Sequence, residues 1–380
     1  MKRKTIAVFA GYALPHLGGI ERFVDKLSIE MTKLNYKVIV VTFEDRISPN
    51  IEYKDNITIY RLPSHNMFHN RYPIPKKNNQ YNTMMNKIKN EGIDIVVLNT
   101  KYFLTSVIGA RLGYKLNVPV IEIEHNSGHF TVNNRILDFF GHYYEHIISS
   151  YVKRYINYFY GSSKDCNRWL KHFKIESNGL LYNGVNPLDY EVYKDTVYNK
   201  KLKNKRIITF AGRLLKEKGI TILINAFNTV NKDIKDIVLV IAGIGPMYEE
   251  VKQLAKDNPN IIIAGKLDFK DLMPLYNQTD VFALPTIYPE GLPTSVMEAG
   301  LMKCVVIATD KGGTDEILMR DEYGYIINPD ERELVDKLVY VLNKDHTHMK
   351  EKIHKHIKKN FSITTTAINI DKLYNQTNNN

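Results

Sequence analysis

The sequence predicts an α/β protein of two domains, each built on a parallel sheet with helices on both faces. Its 380 residues are enough for two domains of ordinary size. Short β-branched runs alternate with longer segments of helical periodicity, the pattern of consecutive β-α-β units. The strands lack polar alternation, as expected when helices cover both faces of a parallel sheet. Because this series occurs twice with an interruption between, we predict two doubly wound domains.

The predicted elements follow one another in a regular order. The strands of the first series are Ile6–Ala10, Val38–Thr42, Ile93–Leu98 and Val118–Ile123, and its helix candidates are Ile20–Leu34 and Asn79–Asn90. The strands of the second series are Ile207–Ala211, Ile237–Ile241, Ile261–Ile263, Val281–Leu284 and Val305–Ile307. Its helix candidates are Gly219–Val230, Pro246–Lys256 and Leu292–Met302. Since ligands of such sheets bind at the carboxyl ends of the strands, we expect the site in a cleft between the two domains.

The domain boundary is predicted at residues 189–205, where periodicity is lost. Lys194–Arg206 contains six Lys or Arg and one Asp, which is typical of a solvated linker. The N-terminal domain is then residues 1–188 and the C-terminal domain residues 206–360. Within residues 361–380, Phe361–Tyr374 is expected to form a terminal helix that crosses back to the N-terminal domain, and Asn378–Asn380 to fray.

Charge and cysteine content narrow the classes of function. Lys and Arg number 52 against 41 Asp and Glu, and the formal net charge of +11 favours an anionic partner: nucleic acid, a phosphorylated ligand or an anionic membrane. Two cysteines exclude a disulfide framework and a cysteine-based zinc module. Ile6–Ala10 fits a buried first strand better than a signal peptide. No apolar run reaches the roughly 18 residues of a membrane span, so we expect a cytoplasmic protein.

The strongest motif directly follows the strand Val281–Leu284. It reads Pro289-Glu290-Gly291-Leu292-Pro293-Thr294-Ser295-Val296-Met297-Glu298-Ala299. A helix that begins near Leu292, with Pro293 in its first turn, would present free backbone N–H groups to a phosphate. Glu290 and Glu298 would then bind hydroxyls on either side of a diphosphate. The alternative is that Glu290 caps the helix and Glu298 faces solvent.

A second candidate anion site follows the first strand of the second series. Arg213 and Lys218 flank the turn that begins at Gly212 and leads into the next helix. Arg grips phosphate through a planar fork and Lys supplies a compact charge, so both could converge on the same diphosphate. The alternative is two solvated loop cations.

Three features of the first half carry less specific signals. Gly18 and Gly19 open the first long helix and permit close approach of a ligand, without the G-x-G-x-x-G spacing of a dinucleotide site. His125 follows a predicted strand, although a lone histidine is more often structural. The run His142-Tyr143-Tyr144-Glu145-His146 fits H-x-x-E-H. We interpret it as a surface helix rather than a zinc site, because the remaining ligand is unidentified.

Together these segments resemble glycosyltransferase family 4, whose GT-B fold has two Rossmann-like domains facing across a cleft. The resemblance rests, in chain order, on Gly18-Gly19-Ile20-Glu21, His125-Asn126, Asn183-Gly184-Val185, Gly212-Arg213, Glu217-Lys218-Gly219, Ala242–Pro246, Glu290–Glu298 and Gly312-Gly313. It implies an acceptor-side N-terminal domain and a C-terminal domain that binds a nucleotide-diphosphate sugar as donor. It also implies that the sugar is transferred with retention of its anomeric configuration.

The resemblance implies a role for each candidate residue. Arg213 and Lys218, beside Gly212, would neutralise the departing diphosphate. Glu290 would bind the donor sugar, Glu298 the ribose, and His125 would line the reaction centre. The backbone that approaches the phosphates or the sugar would be that of Gly18, Gly19, Gly291, Leu292, Pro293 and Thr294. Because fixed cations and helix dipoles can stabilise the leaving group, and no D-x-D motif is present, no metal is expected.

The expected function is a retaining glycosyltransferase with a glycan or lipid-linked acceptor, in cell-surface polysaccharide or glycolipid synthesis. The alternatives are a nucleotide-sugar epimerase on the same fold and a non-catalytic nucleotide-sugar-binding protein. Nucleic acid is not an expected partner, since no recognition motif appears. Tyr151–Lys174 interleaves six Lys or Arg with aromatic residues. That segment would either dock on an anionic surface at the inner face of the cell membrane or bury its aromatic residues in the core.

Overall fold

The computed structural model describes residues 3–16, 18–45, 47–67, 72–131, 134–288 and 291–377. The chain divides into two compact units. The first comprises Met1–Asn183 and Ile363–Asn380, and the second comprises Gly184–Ser362. The segment 189–205 lies in the second unit, where it carries part of a short helix and the buried Leu202.

The first unit is built on one large sheet and a separate hairpin. Its strands are β1 (Lys4–Phe9), β2 (Tyr36–Phe43), β3 (Ile51–Lys54), β4 (Ile57–Leu62), β5 (Ser64–Met67), β6 (Tyr72–Pro75), β7 (Ile95–Asn99), β8 (Val120–Glu124), β9 (Tyr158–Gly161) and β10 (Gly179–Leu180). Its first helices are α1 (Gly19–Lys33), α2 (Asn79–Lys89), α3 (Leu104–Leu116), α4 (Arg135–Val152) and α5 (Lys164–His172). The large sheet has the order β10-β9-β8-β7-β1-β2-β4-β3 and is parallel apart from the antiparallel β3–β4 pair, while β5 and β6 form the hairpin.

The apolar run of β1 is explained by burial on both faces of this sheet. Ile6 and Val8 pack in a cluster that includes Phe23 of α1, whereas Ala7 and Phe9 pack in the cluster on the opposite face. Successive side chains of a strand point to opposite faces. A strand covered on both sides therefore needs apolar residues at consecutive positions rather than at alternate ones.

The second unit is built on a smaller sheet. Its helices and strands are α6 (Leu188–Tyr193), β11 (Arg206–Ala211), α7 (Ile220–Val230), β12 (Ile237–Ala242), α8 (Tyr248–Ala255), β13 (Ile261–Gly265), α9 (Phe269–Gln278), β14 (Val281–Leu284), α10 (Thr294–Leu301), β15 (Val305–Thr309), α11 (Thr314–Ile317), β16 (Tyr325–Ile327), α12 (Glu331–Leu342) and α13 (Thr347–Asn360). The sheet order is β13-β12-β11-β14-β15-β16, and all its pairs are parallel.

The last helix, α14 (Ile363–Thr377), packs within the first unit. Ile363, Ala367 and Ile370 are buried in the same cluster as Phe23. The Tyr36 hydroxyl donates to Asp371 Oδ1 at 2.7 Å. In the part of the chain that the structure describes, no helix is both long and apolar enough to span a bilayer.

Two glycines permit a close approach of backbone segments at the carboxyl edge of the second sheet. Gly219 has φ of 69°, and a Cβ there would lie 1.9 Å from the Pro285 carbonyl oxygen. Gly243 has φ of 154°, and its Cβ would lie 1.9 Å from the Gly212 carbonyl oxygen. A side chain at either position would clash with main chain that cannot rotate away. The loops that follow β11, β12 and β14 can therefore come together only around glycine.

We predict that Gly219→Ala lowers the free energy of unfolding by about 2 to 5 kcal/mol, because left-handed backbone strain adds to the clash with Pro285. Chemical unfolding of the full chain measures the loss. Gly141→Ala is the control, since it lies inside α4 with open space around its Cβ, and alanine favours a helix. Equal stability of Gly219→Ala and the parent chain would contradict the close packing of these loops.

Candidate functional site

The second unit has a topological switch point between β11 and β14. The chain moves from β11 to β12 on one side, and β14 later pairs on the other side. Ligands of open parallel sheets bind outside the carboxyl ends of the strands at such a point. The loop after β11 contains Gly212, Arg213 and Lys218, and the loop after β14 contains Gly291, Leu292 and Pro293. The fold thus gathers these predicted donor residues at neighbouring strand ends.

Hydrogen bonds join the loops around this point. The hydroxyl of Thr286 and the N–H of Ile287 both donate to the Glu217 carbonyl oxygen, at 2.9 and 2.8 Å. The Thr309 hydroxyl donates to the Thr286 carbonyl oxygen at 2.5 Å. These bonds fix the turn that carries Lys218 against the loop after β14, and that loop against the end of β15. The described parts of these loops are thus joined to one another around the switch point.

The two candidate cations differ in exposure. Arg213 is exposed directly after Gly212. Lys218 is half-buried at the end of the 3-10 turn Lys216–Lys218, which the left-handed Gly219 terminates. Both residues belong to the loop at the switch point, and the buried Leu214 lies between them in the sequence. This arrangement can supply two positive charges to an anionic ligand.

Helix α10 begins two residues later than the sequence predicts. Its first residue is Thr294, and Pro293 is the N-cap in extended conformation (φ −72°, ψ 101°). The prediction that Pro293 lies in the first turn is therefore wrong. The N–H groups of Val296 and Met297 donate to the Pro293 carbonyl oxygen. Those of Thr294 and Ser295 precede the first intrahelical donors, and N–H groups at such a helix start can bind an anion.

Of the two glutamates in the motif after β14, the structure describes only Glu298. Glu298 lies within α10 and is only 3% exposed, so the alternative that it faces solvent is wrong. It is the fifth residue of the helix, one turn after the first. Glu290 and Pro289 lie outside the described residues. The loop nevertheless has a fixed point just after them, since the Gly313 N–H donates to the Gly291 carbonyl oxygen at 2.7 Å.

In the first unit, Gly18 and Gly19 form the start of α1. Gly18 is the extended N-cap, and a Cβ there would lie 2.2 Å from Glu21 Oε2. Gly19 has open space where its Cβ would be. Gly18 therefore makes room for the Glu21 carboxylate, and Gly19 leaves backbone accessible to a ligand.

His125 has a defined tautomer. Its Nε2 lies 3.0 Å from Asn99 Oδ1, and the Asn99 amide nitrogen donates to the Phe9 carbonyl oxygen at 3.0 Å. Since a carbonyl only accepts, that bond turns Oδ1 toward the histidine, so Nε2 carries the proton and Nδ1 the lone pair. Burial lowers the pKa of His125 to about 3. The ring is thus neutral near pH 7 and can accept a hydrogen bond through Nδ1.

A buried ion pair lies beside His125. Lys101 and Glu124 are both 0% exposed and paired, and the other oxygen of Glu124 accepts from the N–H groups of His125 and Asn126 at 3.1 and 3.0 Å. Glu122 is also fully buried, and burial, together with the Glu124 charge, raises its pKa well above the usual value. Sequence reasoning missed these residues. The signal was present in β8, where two glutamates alternate with isoleucine in an otherwise apolar strand.

Comparison with known families gives two matches that together cover most of the chain. The family model described as Glycosyltransferase Family 4 matches residues 17–187, and the one described as Glycosyl transferases group 1 matches residues 194–360. An uncharacterized glycosyltransferase of Methanocaldococcus jannaschii is 26% identical, with 98% of this chain and 99% of that protein covered. The gpi3 subunit of phosphatidylinositol N-acetylglucosaminyltransferase of Schizosaccharomyces pombe is 24% identical, with 96% and 78% covered. A capsular polysaccharide biosynthesis glycosyltransferase of Staphylococcus aureus is 24% identical over 54% of this chain and 59% of its own.

Solved structures match the whole chain. Sucrose-phosphate synthase of Thermosynechococcus elongatus has a TM-score of 0.76 at 16% identity and covers 99% of each chain. Anabaena HepE in complex with UDP-glucose has a TM-score of 0.71 at 14% identity, with 98% of this chain and 99% of that chain covered. At these identities the likeness concerns the fold.

We predict that Lys101→Met lowers the free energy of unfolding by about 3 to 5 kcal/mol, because it leaves the Glu124 charge buried without its partner. Urea unfolding measures the loss. In Lys101→Met/Glu124→Gln the charge is removed as well, so at least half of the stability should return. The control is Lys252→Met, whose partner Glu249 is 3.1 Å away in an exposed pair, where about 1 kcal/mol or less is expected. A loss no larger than that of the control would contradict a buried charge pair.

Proposed function

We propose that this chain, which belongs to glycosyltransferase family 4 and has its α/β GT-B fold, transfers a hexose from a nucleotide-diphosphate sugar to a glycan or lipid-linked acceptor. The anomeric configuration of the sugar is retained. The chain is a glycosyltransferase. The observation that carries the finer proposal is the gathering of Arg213, Lys218 and the start of α10 at the switch point between β11 and β14. The UDP-glucose complex of Anabaena HepE supports a nucleotide-sugar donor.

The proposed reaction breaks the bond between the anomeric carbon and the diphosphate oxygen. The electron pair leaves with the diphosphate, whose growing charge Arg213, Lys218 and the N–H groups of Thr294 and Ser295 stabilise. The acceptor hydroxyl forms its bond on the same face of the sugar, and its proton passes to a diphosphate oxygen. Configuration is therefore retained by front-face displacement. With these fixed charges, we propose that the reaction needs no metal ion.

The remaining residues would bind the rest of the donor. Glu298 would accept hydrogen bonds from the ribose hydroxyls, and Glu290 from the sugar hydroxyls. The backbone of Gly291 and of Gly18–Gly19 would approach the phosphates or the sugar. Neutral His125 would accept a hydrogen bond from a sugar hydroxyl through Nδ1, with the Asn99 contact holding the ring.

The acceptor is proposed from the relatives. The phosphatidylinositol N-acetylglucosaminyltransferase subunit supports a lipid acceptor, and the capsular polysaccharide glycosyltransferase supports a glycan. We therefore propose a role in cell-surface polysaccharide or glycolipid synthesis. An epimerase would form a new nucleotide sugar with no acceptor present, and a binding protein would hold the donor without turnover.

We predict that Lys218→Ala lowers kcat for donor hydrolysis or transfer about 100- to 1000-fold, because one fixed charge on the leaving group is removed. UDP-, GDP- and ADP-sugars are screened for thermal stabilisation and hydrolysis, and the best donor is then assayed. Lys216→Ala is the control, as an exposed lysine of the same turn. NMR of the product reports its anomeric configuration. Turnover of Lys218→Ala equal to that of the control, inversion, or acceptor-free epimerisation would each contradict the proposal.

Membrane association is the second part of the proposal, and its location differs from the sequence-based expectation. Within Tyr151–Lys174, Phe159, Tyr160 and Phe173 are buried, so these aromatics cannot dock on lipid. A group of exposed apolar side chains lies on α4 instead. It consists of Ile136, Leu137, Phe139, Phe140, Tyr143 and Ile147, each at least 45% exposed. Their spacing puts most of them along one side of the helix.

An anionic bilayer is the occupant that fits this face. Arg135 begins the helix, and exposed Arg154, Lys164, Lys171 and Lys174 follow it in the same unit. Basic residues contribute about 1 kcal/mol each near an anionic surface. Together with apolar insertion, they favour peripheral binding at the cytoplasmic face of a membrane, where a lipid-linked acceptor would be found.

We predict that Phe139→Ser/Phe140→Ser weakens co-sedimentation with vesicles of phosphatidylcholine and phosphatidylglycerol at least about tenfold, because two exposed rings no longer insert. Leu188→Ser/Val192→Ser is the control, since it removes two exposed apolar side chains from α6 of the second unit. Binding that is unchanged by Phe139→Ser/Phe140→Ser, or insensitive to the anionic lipid fraction, would contradict the proposal.

A further inference from the structure

Histidines from three separate segments meet in the first unit. His129 lies in the loop between β8 and α4, His142 and His146 lie on α4, and His172 is the last residue of α5. The His129 ring stacks on that of His142 at 4.0 Å and lies 5.5 and 5.3 Å from those of His146 and His172. Three segments distant in sequence thus bring imidazole rings to one point.

The nitrogen atoms of three of these rings have spacings close to those of a metal site. The Nε2 atoms of His146 and His172 are 3.2 Å apart. Two nitrogens bound to one tetrahedral Zn²⁺ at about 2.0 to 2.1 Å would be separated by roughly 3.3 Å. One ligand atom each from His129, His146 and His172 lies within 4.8 Å of the others. The largest of these separations would have to shorten by about 1.5 Å for all three nitrogens to bind one ion.

Glu145 orients the third ring. Its Oε2 lies 2.7 Å from His129 Nδ1, and its Oε1 accepts from the Phe130 N–H at 2.8 Å. Glu145 is only 3% exposed. When Glu145 is ionised, it accepts a hydrogen bond from Nδ1–H, which leaves the lone pair of Nε2 for a ligand. A carboxylate bonded to the far nitrogen of a histidine is the arrangement that orients metal-binding imidazoles in proteins.

The surroundings would also suit a bound cation. The Trp169 ring stacks on His172 at 4.7 Å and meets the His129 ring edge-on at 4.7 Å. Lys101 is the nearby positive charge, and its pairing with Glu124 offsets that charge. The Trp169 ring limits the access of solvent to the imidazoles, and Glu124 compensates the Lys101 charge.

We propose that His129, His146 and His172 bind one Zn²⁺ ion, with Glu145 orienting His129 and a fourth position left for water or a ligand. Three neutral imidazoles favour zinc among the common divalent ions of cells over magnesium or calcium. The H-x-x-E-H run would not bind zinc through both of its histidines, as in zinc proteases. Only His146 of the run binds the ion, and Glu145 orients His129, which lies outside the run. The ion would link the loop after β8, α4 and α5. It would thereby hold the loop that also carries His125.

The test uses the full chain without a histidine tag, dialysed against EDTA and then titrated with Zn²⁺. Equilibrium dialysis with elemental analysis should give about one zinc per chain, as expected for a single site of this kind. His172→Ala, an exposed position, should weaken binding at least about tenfold, and Glu145→Gln about 10- to 100-fold. His348→Ala, an exposed histidine of the second unit, is the control and should leave binding unchanged.

A measurement without any substitution gives an independent result. Trp169 is the only tryptophan of the chain, so its fluorescence reports this cluster alone. Co²⁺ should quench it with a stoichiometry of one, and excess Zn²⁺ should reverse the quenching. Absence of quenching, binding well below one zinc per chain, or equal affinities of His172→Ala and His348→Ala would each overturn the proposal.

Discussion

Helices cover both faces of each sheet, and this constraint determines where the candidate sites of the protein can lie. It commits the strand interiors to apolar side chains, as β1 shows, and leaves the strand ends as the positions for polar chemistry. In the second unit the constraint extends to the main chain. Gly219 and Gly243 let the loops after β11, β12 and β14 come into direct contact. The loops around the candidate diphosphate site are also joined by hydrogen bonds that the Thr286 and Thr309 hydroxyls and the Ile287 N–H donate to backbone carbonyl oxygens.

In the first unit, a loop is held by side-chain carboxylates rather than by close contacts of the main chain. The loop that follows β8 is bound by two buried carboxylates. Glu124 accepts from the N–H groups of His125 and Asn126, and Glu145 accepts from Phe130 and contacts His129. Each carboxylate needs a compensating group inside the protein, because an unpaired buried charge is costly. Lys101 supplies it for Glu124. Our proposals for His125 and for the zinc site therefore concern one loop that the same electrostatic network holds.

The net charge of +11 has no single explanation in the structure. Lys101 forms a buried ion pair with Glu124, and we assign Arg213 and Lys218 to the proposed donor site. Most of the basic side chains that follow α4 are exposed, and they lie in the same unit as its apolar face. Exposed basic and exposed apolar side chains in one unit are typical of a peripheral membrane protein. Of the seven aromatic residues that the sequence places among these charges, Phe159, Tyr160 and Phe173 are buried, and the other four are half-buried.

The sequence by itself determined the fold class and most of its strands, because apolar strand runs and turn glycines are local signals. Every strand predicted from it is present, with ends displaced by at most two residues, and the family resemblance followed from motifs that are contiguous. The late start of α10 at Thr294 was not predictable from Pro293, which suits either the N-cap or the first turn. Only the tertiary structure decided which polar residues share an interior. Lys101 and Glu124, or His129 and His172, are too far apart in the chain for spacing to reveal that they meet, and their burial depends on helices packed from elsewhere.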